Sequence, residues 1–112
     1  MTKDIVIFIT APGEEEAANI AKALVSERLA ACVNIIGGMR SIYRWKGKLE
    51  DEREALMIVK TREELFDAVN KSVKRHHSYS VPEVIAVPIV KGSEDYLKWL
   101  HEVTGLASPS EG

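Results

Sequence analysis

Residues 33–45, VNIIGGMRSIYRW, read as extended chain broken only by Gly37-Gly38, and these thirteen residues of strand span about 44 Å, roughly twice an ordinary strand. Lys46-Gly47-Lys48 supplies a turn, and residues 55–59 form a second apolar run, so the segment predicts a long β-hairpin. Much of it must project beyond one small body. A projecting edge carrying Met39, Ile42, Tyr43 and Trp45 is one that proteins seldom leave uncovered. Self-association follows, with the arm of one subunit pairing with a neighbour.

The rest of the chain frames this hairpin. Residues 5–9, IVIFI, form an unalternating β-branched and aromatic run, as expected of a central strand covered on both faces. After Pro12 and Gly13, residues Ala17, Ile20, Ala21, Leu24 and Val25 recur at helical spacing, predicting a helix to about Arg28. Thr61 and Glu64 have the spacing of a capping box, so a second helix is expected to start there, with the stripe Leu65, Phe66, Val69 and Val73. His76 and His77 fall in its next turn. Pro82 disfavours helical backbone at Val81, so the helix stops before it and residues 84–90 read as a strand. Pro88 lies inside that strand and cannot donate to a ladder, which puts the strand at a sheet edge or at a bulge. Ser93 can cap a last helix bearing Leu97, Leu100 and Val103.

The order β-α-β-β-α-β plus one helix is the split βαβ arrangement of an α+β, ferredoxin-like domain. Strands one and three are central in it, and these are the continuously apolar ones. The strand with Gly37-Gly38 and the strand with Pro88 fall at the edges.

A chain of 112 residues that is 46% hydrophobic can bury one core, so residues 1–104 are expected to be a single domain, with a disordered tail at 105–112. Fifteen Lys and Arg stand against seventeen Asp and Glu, a formal charge of -2 with neither sign in a long block. That balance disfavours a nucleic-acid partner. Five apolar residues at 5–9 are too few for a signal-peptide core or a membrane span, so no membrane partner is expected. Cys32 is the only cysteine, which excludes an intrachain disulfide and CxxC sites and suits a reducing cytoplasm.

His76 and His77 are the first metal candidates, because imidazole nitrogen suits copper and zinc. Adjacent helical residues point about 100° apart, so both reach one ion only where the helix has unwound. The alternative is one packed and one solvent-exposed histidine. Cys32 is a further soft ligand if it lies beside the histidines across a subunit boundary; otherwise it is a small buried hydrophobe. Glu50, Asp51, Glu52 and Glu54 form an acidic cluster that reads as a solvated edge or a weak site for a hard cation. Glu54 and Lys60 share a strand face but stand about 20 Å apart along it. No nucleophile, acid and base constellation is present, so a non-enzymatic protein is expected. No arginine in residues 11–16 could grip a phosphate, and strand three offers no aromatic for stacking RNA bases.

These residues also carry a resemblance. Thr10-Ala11-Pro12, Leu29-Ala30-Ala31-Cys32-Val33-Asn34, Ser41-Ile42-Tyr43-Arg44-Trp45-Lys46-Gly47, Lys60-Thr61, His77-Ser78-Tyr79-Ser80-Val81-Pro82-Glu83 and Asp95-Tyr96-Leu97-Lys98-Trp99-Leu100 together resemble the CutA family of divalent-cation-tolerance proteins across about residues 4 to 104. The resemblance implies a ferredoxin-like subunit assembled as a homotrimer by β-strand pairing. It also implies a role in tolerance of copper and other divalent metals, with no organic cofactor. Copper-linked bacterial members imply ligands at His76 and His77 together with a cysteine just before Thr-Ala-Pro, where this chain has Ile9. Ser78 stands where the family usually has proline. Subunit boundaries are implied to form clefts lined by Trp45, Glu54, Lys60 and Tyr79. Such clefts admit a second reading, a PII-like trimeric sensor that holds an anionic metabolite through Lys60.

Overall fold

The structure, a computed structural model, describes residues 3–105. Its elements are β1 (Asp4–Ala11), α1 (Glu14–Ser26), β2 (Cys32–Trp45), β3 (Lys48–Arg62), α2 (Phe66–His76), β4 (Val84–Pro88) and α3 (Glu94–Val103), with one 3-10 turn, Glu63–Leu65, leading into α2. The strands make one antiparallel sheet in the order β2-β3-β1-β4. This is the ferredoxin-like arrangement, with the two apolar strands central and the glycine-bearing and proline-bearing strands at the edges. Among the described residues no helix is long and apolar enough to cross a membrane.

The core lies between one sheet face and the helices α1 and α2. Ile5, Ile7 and Ile9 of β1 and Met57 and Val59 of β3 pack there against Ile20, Leu24, Val69 and Val73. The expectation that β1 is covered on both faces holds for one face within this chain. On the other face Val6 and Phe8 are half-buried, while Ile36 on β2 and Ile85 on β4 remain 52% and 55% exposed. Away from the Asp4 and Arg62 end, where α3 is fastened, this apolar sheet face is therefore left without a helix over it.

The hairpin of β2 and β3 pairs from Cys32 opposite Lys60 to Trp45 opposite Lys48. Lys46 and Gly47 close it with φ of 50° and 79°, the two-residue turn whose twist matches the flanking strands. The arm gives the molecule its length, 51 Å against 28 and 21 Å in the other directions. Ile36 faces Leu56 and Met39 faces Glu54, so Gly37 and Gly38 share the one opposing residue Ala55 and form a bulge. The bulge changes which odd-numbered residues point where. Val33 and Ile35 pack on the core, whereas Tyr43 and Trp45, beyond the bulge, share the opposite face with Glu50, Glu52 and Glu54.

Several local expectations are corrected. Thr61 is no helix cap: it is fully buried in β3, and its hydroxyl donates to the Leu29 carbonyl at 2.6 Å. The backbone stays extended through Arg62, so α2 begins later and has no side-chain cap. α1 ends at Ser26, and Arg28 takes a left-handed φ of 62°. β4 stops at Pro88, short of Val90, with the Ile89 N–H still donating to Asp4. Ser93 does cap α3, accepting the Tyr96 N–H at 3.2 Å.

α3 is fastened across the Asp4 and Arg62 end of the sheet. His101 Nε2 meets Asp4 Oδ1 at 2.6 Å, and the Arg62 guanidinium donates to the hydroxyl and carbonyl of Thr104. Gly105 exchanges hydrogen bonds with Arg28, through its N–H at 2.8 Å and its carbonyl at 3.0 Å. The remainder of the expected tail lies outside the described residues.

Candidate functional site

The link between α2 and β4 is organised by His77. Its backbone N–H still closes the last turn of α2 by donating to Val73, while its own backbone has turned extended. The ring is buried. Nε2 donates to the Thr10 carbonyl at 2.7 Å, and Nδ1 accepts the Tyr79 N–H at 3.0 Å. Both ring nitrogens are thus occupied by backbone groups, which assigns the neutral Nε2–H tautomer. Ser78 donates its N–H and hydroxyl to Glu16 of α1, at 2.9 and 3.0 Å. The loop is pinned at once to the end of β1 and to the first turn of α1.

That pinning delivers Tyr79 to the hairpin. Its ring lies 4.8 Å from the His77 ring, and its hydroxyl donates to Glu54 Oε2 at 3.0 Å. Burial, followed by the Glu54 hydrogen bond and charge, pushes the Tyr79 phenol well above the usual range. Glu54 is only 6% exposed. The arm and the loop enclose a cleft of about 700 Å³, walled on one side by Tyr43, Trp45, Glu50, Glu52 and Glu54. Tyr79, Val81, Pro82 and Glu83 line the other side. Burial and the charges of Glu54, Glu50 and Glu52 also raise the Tyr43 phenol, a sign of the negative potential here.

Within one subunit the structure therefore brings Trp45, Glu54 and Tyr79 to one cleft and leaves Lys60 outside it, whereas the resemblance implies a cleft between subunits that includes Lys60. Lys60 lies toward the opposite end of β3, paired with Val6 on one side and Cys32 on the other. The metal candidates do not form one site within the subunit. His77 is closed at both nitrogens. His76 is exposed and donates Nδ1–H to the Ser72 carbonyl at 2.8 Å, which leaves Nε2 open. Cys32 begins β2 at the Lys60 end, with Sγ 3.8 Å from the Asn34 side-chain oxygen, and its neighbourhood includes Tyr96 of α3. Among the described residues no group of three or more His, Cys, Asp or Glu is placed to hold a metal ion.

Sequence reasoning missed the parts of Glu16 and Thr10 in holding the loop, and that of Glu83 in the cleft. It also read the acidic cluster without its aromatic wall. The signal was available in the two-residue turn, because Trp45 opposite Lys48 fixes Tyr43 opposite Glu50 and puts alternate acids beside the aromatics. Asp51, of the other parity, instead receives Arg40 at 2.8 and 2.6 Å, and that hydrogen bonding holds its carboxyl below the ordinary range.

Comparison with known proteins agrees with this architecture. The divalent-cation tolerance protein CutA of Thermus thermophilus is 53% identical over 100 residues, covering 89% of this chain and 97% of the relative. The human protein CutA is 48% identical over 103 residues, and there this chain spans 58% of the relative's length. The rice chloroplastic CutA 1 is 49% identical, with 56% of its length spanned. Among solved structures, the Thermus thermophilus divalent cation tolerance protein superposes with a TM-score of 0.89 at 52% identity, covering 91% of this chain and 99% of that one. The periplasmic divalent cation tolerance protein CutA of Archaeoglobus fulgidus gives 0.87 at 47% identity, covering 89% and 97%. Residues 5–103 match the family described as CutA1 divalent ion tolerance protein, and the chain belongs to that family.

Proposed function

We propose that this chain is a non-enzymatic, cytoplasmic, homotrimeric divalent-cation-tolerance protein whose contact with divalent metal is weak and made through His76. The observation that carries the metal part is the contrast between neighbours: both nitrogens of His77 serve the fold, whereas His76 keeps Nε2 open at the surface. One imidazole per subunit binds copper or zinc weakly unless other ligands join it. Cys32, at the far end of the sheet, is the lesser candidate. Relatives carry the words divalent-cation tolerance in their names, and the lone thiol suits a reducing compartment. Support for assembly comes from the uncovered apolar face around Val6, Phe8, Ile36 and Ile85 and from the two free sheet edges. The number three rests on the family resemblance.

Native mass spectrometry with and without stoichiometric Cu(II) and Zn(II) tests this reading. The expected result is a trimer that retains metal weakly and loses it in His76→Ala. A dimer or monomer, or metal retained unchanged in His76→Ala, overturns it.

The PII-like reading keeps the cleft but not the charge of its ligand. The charged side chains lining it are all carboxylates, which favours a cation over an anionic metabolite.

A further inference from the structure

We draw no further inference here: the strongest candidate, the exposed patch of Ile42 and Leu49 among Arg40, Arg44 and Arg53 on the face of the hairpin arm opposite Tyr43 and Trp45, is an unpartnered sheet face, and nothing in the structure shows what covers it.

Discussion

His77 and Thr10, 67 residues apart in sequence, are joined by a 2.7 Å hydrogen bond from the imidazole Nε2–H to the backbone carbonyl at the end of β1. The same ring accepts the Tyr79 N–H, so one buried side chain bonds two backbone groups at once. His77→Ala removes both hydrogen bonds and opens a void, and it should cost about 3 kcal/mol. His76→Ala, on the exposed side of the helix end, should stay within about 0.5 kcal/mol. Urea unfolding followed by circular dichroism, at one fixed protein concentration, measures both; near-equal costs would contradict the division of labour between the two histidines.

Thr61 offers a sharper separation of two readings of the same residues. As a capping box, Thr61 and Glu64 would contribute together. In the fold, Thr61 is buried with its hydroxyl on the Leu29 carbonyl at 2.6 Å, while Glu64 is exposed and 3.8 Å from Arg62. Thr61→Val keeps the shape and removes the donor, for a loss of about 1–2 kcal/mol. Glu64→Gln removes only an exposed ion pair and should cost no more than about 0.5 kcal/mol. Denaturant midpoints of the two variants decide the matter.

The sequence was most legible where hydrophobic period and proline chemistry agreed. Residues 5–9 and 55–59 announced the central strands because buried strands exclude polar residues from both faces, and Pro88 marked an edge because it has no N–H. Thr61-Glu64 misled because side-chain spacing carries no record of the long-range acceptor, the Leu29 carbonyl, which won the hydroxyl. The same limit applied to the site. Trp45, Glu54 and Tyr79 were grouped through a resemblance, but the role of His77 as a spacer depends on Thr10 and Glu16, whose approach is a tertiary fact. Covering of β1 on both faces was misjudged for one subunit because apolar composition does not say whether a helix or another chain lies above it.

The bulge at Gly37 and Gly38 predicts opposite outcomes for adjacent glycines. A Cβ at Gly37 would meet the Glu14 carboxylate, the far end of a flexible side chain that can swing aside. Gly38 has open space around it but a φ of +71°, where any L side chain is strained. Gly38→Ala should therefore destabilise by about 1 kcal/mol and Gly37→Ala by less than about 0.5 kcal/mol, measured by thermal and urea unfolding. Crowding alone would predict the reverse order.

Tyr79 gives the pH dependence a definite sign. Burial first, and then the hydrogen bond to Glu54, raise its phenol in the folded state above the unfolded value. The native state thus holds this proton more tightly than the unfolded chain does. Its contribution to stability is complete below the unfolded pKa, and is lost as pH rises from the ordinary phenol range through the higher folded value. In an ultraviolet titration of the three tyrosines, Tyr79 should ionise last, and only as the fold gives way. Glu54→Gln removes the negative charge while leaving an acceptor, so it should bring the Tyr79 transition to lower pH with the cleft still formed. Unchanged tyrosine titration in Glu54→Gln, with the variant folded, would leave burial as the leading cause and take the Glu54 carboxylate out of the account.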